Sequence, residues 1–397
     1  MSKLDELIKE HCPDGVEYTI IDKVCTKISS GGTPNTSHGE YYNGSIPWLR
    51  TQEVDWIDVL DTGVKITNEG LQNSSASWIP KNCVIVAMYG ATAAKVAINK
   101  IPLTTNQACC NLQVDESKAV YRYVYYWLSN KYNVLKKLGQ GSQSNINAKT
   151  VRNFPIPLPP LPVQREIVRI LDTFTELTAE LTAELTARKK QYEYYRDSLL
   201  STSDNSVEKK PLGSLGRVRM CKRIMKSQTT SEGEVPFYKI GTFGRQADAF
   251  ISRELFEEFK GKYSFPKKGD VLISAAGTIG RTVIYNGAPA YFQDSNIVWL
   301  ENDESEVLNR YLYHIYATSP WYVSNGGTIA RLYNDNIEKA TIPLPSLKEQ
   351  TRIVSILDRF DTLCNDITTG LPAEIEARKK QYEYYRDKLL TFPEAKA

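Results

Sequence analysis

The chain has 397 residues, more than one hydrophobic core usually fills, and its 41% hydrophobic and 24% charged residues exclude a fibrous or mainly disordered protein. Its 49 basic and 46 acidic residues leave a net charge of only +3, so any nucleic-acid-binding surface must be local. The seven cysteines form no CxxC pair, and no stretch of about 18 apolar residues could span a membrane, so we expect a reduced cytoplasmic protein.

The first part of the chain is predicted to be a strand-rich globule with polar loops. A glycine-rich stretch at residues 29–44 precedes "SIPWL" at 45–49, and "VIVAMYGATAAKVAI" at 84–98 is typical of a strand, a glycine turn and a second strand. "TTNQ" at 104–107 and "GQGSQSNINAK" at 139–149 are further polar loops. Each loop alone is typical of an ordinary solvated turn.

A long helix is predicted after the proline run "FPIPLPPLP". We interpret the prolines as a rigid lead-in to the helix rather than as a PxxP ligand. The helix contains "TELTAELTAELTA" at residues 175–187, and from Val163 to Leu200 it would be about 57 Å long. Steps of three or four residues define a coiled-coil seam, which comprises Ile167, Ile170, Phe174, Leu177, Leu181, Leu185, Arg188, Tyr192, Tyr195 and Leu199.

The second half of the chain repeats the first. "IPLPPLPVQREIVRILDTF" at 156–174 matches "IPLPSLKEQTRIVSILDRF" at 342–360, and "ARKKQYEYYRD" at 187–197 returns unchanged at 377–387. The second copy holds four extra residues between these blocks, where Gly370 and Pro372 should interrupt its helix. Its predicted seam comprises Ile353, Ile356, Phe360, Leu363, Ile367, Leu371, Ile375, Arg378, Tyr382, Tyr385 and Leu389.

The match continues upstream, where "EVPFY" at 234–238 corresponds to "SIPWL", and "VLISAAGTIGRTVIY" at 271–285 corresponds to the strand–turn–strand stretch. The chain is therefore predicted to contain two related globules, each followed by a helical segment.

Signals for catalysis are weak. Only three histidines occur, without metal-ligand spacing to a cysteine pair, and there is no GxxxxGK[ST] phosphate loop. We therefore expect no active site and no metal site in this chain.

Polar loops occur at matched positions in the two globules, which favours two DNA-recognition domains. Asn, Gln, Arg and Lys side chains read base edges, and loop amides and hydroxyls contact phosphates. The candidate DNA-binding residues are Thr33, Tyr41, Arg50, Gln52, Lys95, Asn106, Gln107, Ser142, Gln143, Asn145, Lys222, Arg223, Lys226, Lys239, Arg245, Arg281, Gln293, Arg331 and Tyr333.

The repeated "ARKKQYEYYRD" could bind nucleic acid through charge and stacking. Its arginine and tyrosines fall on the predicted seams, however, so we favour a packing surface that also docks a partner twice. The candidate docking residues are Arg188, Lys189, Lys190, Tyr192, Tyr195, Arg196, Arg378, Lys379, Lys380, Tyr382, Tyr385 and Arg386.

These blocks, with the "GGTP…YYNGSIPW" start and the "TAEL" repeat, resemble the specificity subunit of type I restriction-modification enzymes, and the spacer repeat resembles the IC-like subgroup. The resemblance implies an α+β (mixed αβ) fold with two strand-rich target recognition domains, separated by two long helices packed as an antiparallel coiled coil with pseudo-two-fold symmetry. The implied boundaries are 1–160 and 202–347 for the recognition domains, and 161–201 and 348–397 for the helical regions.

The resemblance further implies recognition of double-stranded DNA at a split, asymmetric site, with two methyltransferase subunits docked on the helical regions. Those partners would bring S-adenosylmethionine, and a restriction subunit would use ATP and magnesium, so this chain would bind no cofactor. The second globule lacks the "GGTP" opening, so its contacts cannot be copied from the first. A competing hypothesis is a duplicated coiled-coil scaffold whose globules bind proteins.

Overall fold

The structure is a computed structural model that describes residues 3–139, 145–201, 207–321 and 331–395. The chain forms two compact units, Met1–Leu181 with Ile375–Ala397, and Thr182–Glu374. Each unit, here called the first and the second unit, combines its own strand-rich half of the sequence with the "ARKKQYEYYRD" segment of the other half. The division into recognition domains and helical regions at residues 160, 201 and 347 stays a prediction.

The first half of the chain is made of short strands and helices, followed by one long helix. Its strands are β1 (Tyr18–Ile20), β2 (Cys25–Ser30), β3 (Tyr42–Leu49), β4 (Asp58–Val59), β5 (Lys65–Ile66), β6 (Trp78–Ile79), β7 (Val84–Ala87), β8 (Val96–Asn99), β9 (Leu103–Thr105), β10 (Cys109–Val114) and β11 (Pro155–Pro157). Its helices are α1 (Lys3–His11), α2 (Asn68–Gln72), α3 (Tyr121–Asn130), α4 (Tyr132–Lys137), α5 (Ala148–Arg152) and α6 (Leu161–Leu200).

The second half has a similar order of elements. Its strands are β12 (Lys209–Pro211), β13 (Arg217–Arg219), β14 (Val235–Tyr238), β15 (Phe250–Ile251), β16 (Val271–Ser274), β17 (Thr282–Ile284), β18 (Tyr291–Phe292), β19 (Ile297–Glu301) and β20 (Thr341–Pro343). Its helices are α7 (Leu212–Leu215), α8 (Arg253–Lys262), α9 (Asn309–Tyr316), α10 (Asn334–Glu338), α11 (Leu347–Asn365) and α12 (Leu371–Leu389).

The sheets of the two units have similar topologies. In the first unit the orders are β2-β10-β7-β8-β4, β5-β3-β9-β6 and β1-β11, and in the second they are β13-β19-β16-β17, β15-β14-β18 and β12-β20. Both units contain a parallel pair at the same place, β3 with β9 and β14 with β18. The strand–turn–strand prediction is confirmed by the antiparallel pairs β7–β8 and β16–β17. The chain is thus a mixed α and β fold built from two duplicated halves.

A buried glutamine explains part of the strong match between the two helical blocks. Gln164 is fully buried, and its side chain accepts a hydrogen bond from Val120 N (2.9 Å) and donates to Pro159 O (2.8 Å). Gln350 makes the same pair of bonds with Leu308 N and Pro345 O, each at 2.9 Å. Because a buried amide without partners would cost about 1–3 kcal/mol, both blocks need glutamine here.

The long helix is continuous, whereas its counterpart is broken. α6 has 40 residues, and α11 ends at Asn365, before α12 begins at Leu371. A Cβ atom at Gly370 would overlap the carbonyl oxygen of Thr362, and Pro372 lies in the first turn of α12, where its missing N–H costs nothing. The predicted interruption is therefore confirmed. Among the described residues no helix is long and apolar enough to cross a membrane.

The seam prediction is correct for most positions, but Leu177 is 40% exposed and Ile367 departs most from the seam. Ile353, Leu371 and Ile375 are buried, but Ile367 is 80% exposed because it lies in the turn between α11 and α12. Cys364, about one helical turn earlier, is buried instead. The helical period that placed Ile367 on the seam does not hold across the break.

Candidate nucleic-acid interface

The parallel pair of strands brings two polar loops together in the first unit. Leu49 at the end of β3 lies opposite Thr105 at the end of β9, and Asn106 N donates to Leu49 O at 2.9 Å. Because parallel strands end at the same edge of a sheet, the predicted residues Arg50 and Asn106 lie side by side.

Three further loops reach the same edge. Gly32 N donates to Thr105 O at 2.9 Å, and the Thr33 hydroxyl donates to the Gln107 side chain. Gly90 N, in the turn between β7 and β8, donates to Asn145 Oδ1 at 3.1 Å. We call residues 32–33, 50–52, 90–92, 106–107 and Asn145 the first loop edge.

Equivalent loops meet in the second unit. Tyr238 at the end of β14 lies opposite Phe292 at the end of β18, so Lys239 and Gln293 start adjacent loops. Arg331 forms a backbone bridge with Ala276 in the glycine turn after β16. We call residues 220–226, 239–240, 275–277, 293–296 and Arg331 the second loop edge.

The second loop edge contains a cleft of about 550 Å³. Its lining carries four cationic side chains and one carboxylate, so it favours a polyanion. The charged lining residues are Arg223, Lys226, Lys239, Arg331 and Asp294, and all four cationic ones were predicted from the sequence. The predicted residue Gln293 also lines the cleft, where its Oε1 accepts a hydrogen bond from Ile240 N at 2.9 Å.

Three of the four cations of the cleft are held by specific partners. Arg223 Nε donates to Asp294 Oδ2 at 2.9 Å, and Lys239 Nζ lies 2.8 Å from the Asp248 carboxylate. Arg331 Nη2 instead donates to a backbone carbonyl, Ser295 O, at 2.7 Å. Arg331 is thus held by a neutral carbonyl rather than by a carboxylate.

The first loop edge is polar but closer to neutral. Arg50 Nε lies 3.2 Å from Glu53 Oε1, and the Gln52 amide lies 3.2 Å from the same guanidinium. Lys95 lies beside this edge, where its backbone N–H donates to Thr92 O at 2.9 Å, and its Nζ lies 2.5 Å from Asp55 Oδ1. Because carboxylates neutralise both cations, this edge has more hydrogen-bonding character and less positive charge than the second.

Some predicted DNA-binding residues lie elsewhere. Tyr41 precedes β3, at the opposite end from Arg50, and its ring stacks on His38 with centroids 4.9 Å apart. Tyr41 therefore lies away from the first loop edge, because the length of β3 separates it from Arg50, and its role in DNA binding stays a prediction. Lys222, by contrast, belongs to the second loop edge, and its Nζ lies 5.2 Å from the centroid of the Tyr263 ring.

Two further arginines of the second unit belong to another region. Arg281 Nη1 donates to Phe243 O at 2.9 Å, and Arg245 lines a separate, more apolar cavity of about 340 Å³. Tyr333 is 56% exposed beside Arg331, whose guanidinium lies 6.0 Å from the ring centroid. The predicted residues Ser142 and Gln143 lie outside the described residues.

Tyrosines of the repeated segment pack within their units. Tyr195 stacks on Phe360, and Tyr385 stacks on Phe174, each with centroids 5.5 Å apart. The Tyr192 hydroxyl lies 3.3 Å from His314 Nδ1, and burial raises the pKa of Tyr192 to about 12. The packing interpretation of these tyrosines fits the structure better than stacking on bases.

The opposite face of each repeated segment is exposed. Lys189, Lys190, Lys379 and Lys380 are all exposed. Two tyrosines that sequence reasoning missed, Tyr194 and Tyr384, are 69% and 63% exposed. The sequence could have revealed them, because each lies two residues after a seam tyrosine and residues two apart face different sides of a helix. Arg196 and Arg386 lie over the Tyr192 and Tyr382 rings at 5.9 and 5.6 Å.

A family comparison explains the duplication. The model of the type I restriction modification DNA specificity domain matches this chain twice, at residues 13–188 and 205–377. The chain belongs to the type I restriction-modification specificity subunits. A putative type I restriction enzyme specificity subunit of Haemophilus influenzae is 57% identical over 280 residues, which cover 68% of this chain and 72% of that protein.

Two other proteins are similar to this specificity subunit. The EcoR124I/EcoR124II specificity subunit of Escherichia coli is 36% identical over 298 residues, which cover 70% of this chain and 72% of that protein. The crystal structure of a type I S subunit from M. genitalium has a TM-score of 0.59 at 16% identity, covering 95% of this chain and 96% of that one, and so shares the fold.

Family membership makes DNA sequence recognition the function of this specificity subunit and disfavours the protein-binding scaffold. It also supports a role without catalysis in this chain. Among the described residues no group of three His, Cys, Asp or Glu side chains could hold a metal ion. The IC-like subgroup stays a prediction.

Proposed function

We propose that each unit recognises one half of a split duplex DNA site with its loop edge. The observation that carries this proposal is that loops from equivalent strands meet in both units and present different side chains. Arg50 in the first unit corresponds to Lys239 in the second. Arg50 directly follows β3, and Lys239 directly follows β14, the first strands of the two parallel pairs. Two different edges read two different half-sites, so the complete target is not palindromic.

The charge of the second loop edge supports DNA as the ligand. Four cationic side chains surround one cleft, and duplex DNA carries about one negative charge per 1.7 Å of helix axis. Cations at the rim bind phosphates, whereas Gln293 and Arg331 have the donors that read base edges. The first loop edge relies more on uncharged groups and should contribute less to salt-dependent affinity.

We further propose that the long helices set the spacer between the half-sites and dock two methyltransferase subunits. Support for docking comes from the exposed lysines and tyrosines that occur identically in both repeated segments. The docked subunits would bind S-adenosylmethionine and methylate adenine N6. Restriction subunits would supply ATP- and magnesium-dependent cleavage, and the whole complex would act in the cytoplasm.

Filter binding at several salt concentrations tests the proposal. The chain, with and without its methyltransferase partner, is titrated with a duplex that carries the motif mapped by methylome sequencing and with a scrambled duplex. We expect tight, salt-sensitive binding of the motif by the complex. Equal affinity for both duplexes in the complex would reject sequence recognition through the loop edges.

A further inference from the structure

Asn145 and Arg331 occupy the same position in the two loop edges. Ile146, which follows Asn145, donates its backbone N–H to Met88 O at 2.9 Å. Leu332, which follows Arg331, donates its backbone N–H to Ala275 O, also at 2.9 Å. Met88 and Ala275 each directly follow the strand that precedes the glycine turn. The backbone therefore presents the two side chains at equivalent places, although one is a neutral amide and the other a guanidinium.

Each of these side chains is also held by one hydrogen bond to a left-handed turn. Asn145 Oδ1 accepts from Gly90 N at 3.1 Å, and Gly90 has φ 79°. Arg331 Nη2 donates to Ser295 O at 2.7 Å, and Ser295 has φ 60°. A serine in this conformation costs on the order of 1 kcal/mol, and such strain is common at functional sites. In this conformation the Ser295 carbonyl accepts the hydrogen bond from Arg331, which fixes the orientation of the guanidinium.

Toward the described residues, Arg331 uses only a small part of its hydrogen-bonding capacity. A guanidinium has five N–H donors in a planar fork, and the Ser295 carbonyl uses one of them. In the cleft lining the one carboxylate, Asp294, is bonded to Arg223. Within the described ranges of the chain, Arg331 lies near no carboxylate at ion-pair distance. The fork is therefore oriented, and the described residues leave it two adjacent donors with which to bind a ligand that has two adjacent acceptors.

We propose that Arg331 reads a guanine in the half-site recognised by the second unit and that this position distinguishes the two half-sites. Guanine presents O6 and N7 side by side in the major groove, which matches two parallel N–H donors of arginine. Asn145 has an NH2 donor group and a carbonyl oxygen whose second lone pair is not used by Gly90 N, a pairing that suits adenine rather than guanine. This inference rests on the proposed function, because it assumes that the loop edge contacts DNA.

The alternative is that Arg331 binds a phosphate, and the two roles have different signatures. Loss of a base contact relaxes specificity at one position, whereas loss of a phosphate contact weakens binding of all sequences equally. Arg331→Lys is the sharpest variant, because it keeps the charge and removes the planar fork. Lys226→Gln, at the same cleft, is the matched control for loss of charge alone.

The test uses the full chain in complex with its methyltransferase subunits and combines methylome sequencing with filter binding. For Arg331→Lys and Arg331→Gln we expect one guanine of one half-site to become degenerate, with a loss of about 10- to 100-fold in affinity for the original motif. Lys226→Gln should lower the affinity for every duplex and leave the motif unchanged. Asn145→Gln should alter only the other half-site.

Three results would overturn the inference. An unchanged motif in Arg331→Gln would assign the side chain to phosphate, and so would equal weakening of all duplexes by the same variant. A change at a base other than guanine would also reject it. Size-exclusion chromatography of the complex checks that each variant assembles. If the wild-type complex lacks sequence-specific binding, the proposed function itself fails, which is a separate outcome.

Discussion

Inserting one more "TAEL" unit into α6 should change the spacer of the DNA target and leave both half-sites intact. α6 is unbroken from Leu161 to Leu200, and its 40 residues correspond to about 60 Å at 1.5 Å per residue. Four added residues lengthen it by about 6 Å and rotate the C-terminal part of the helix by about 40° beyond a full turn. One base pair adds about 3.4 Å and roughly 35°. We therefore expect a spacer longer by about one to two base pairs.

Methylome sequencing measures both half-sites and the spacer together in cells that express the chain with its methyltransferase. Glu180→Gln is the length-preserving control, because Glu180 is exposed within the same repeat. The control should retain the original spacer. If the insertion variant also retains it while methylation continues, α6 does not set the spacing.

Other consequences concern stability. Burial lowers the pKa of His314 below its ordinary value of about 6.5, so the unfolded chain takes up this proton first and the free energy of unfolding should fall as pH drops below about 6.5. His314→Gln should flatten this slope in urea titrations at pH 5, 6 and 7, and identical slopes would contradict it. Gly31→Ala would place a Cβ atom against a neighbouring strand's carbonyl and should cost about 1–3 kcal/mol, whereas Gly39→Ala, with nothing within 4 Å, should cost less than about 0.5 kcal/mol. Equal stabilities of these two variants would contradict the close packing of Gly31 against the Thr105 carbonyl. A double-mutant cycle of Tyr195→Leu and Phe360→Leu should give a coupling of about 1 kcal/mol in urea unfolding, and additive effects would mean that the stacked pair contributes nothing specific.

The sequence predicts those features that depend on local pattern. The strand–turn–strand stretches, the break at Gly370 and the helical seams are predictable from periodicity and from the matched blocks. Four cationic residues of one cleft were found because polar loops at strand ends carry Arg and Lys in both halves.

Features that depend on long-range pairing were not predictable from local pattern. The exchange of "ARKKQYEYYRD" segments between units, seen in the stacking of Tyr385 on Phe174, joins residues that lie far apart in the sequence. The exclusion of Tyr41 from the first loop edge depends on the direction of β3, which the spacing of loops along the chain does not reveal. The burial of Gln164 depends on backbone groups of a distant loop.

Methylome sequencing of one matched pair of variants tests the central claim most directly. Asn106→Ala and Gln293→Ala alter equivalent positions, directly after strands β9 and β18, which end at the two loop edges. If each unit reads its own half-site, one variant should change the methylated motif in one half-site and the other variant in the other half-site, with the spacer preserved. Changes from both variants in the same half-site would contradict the account.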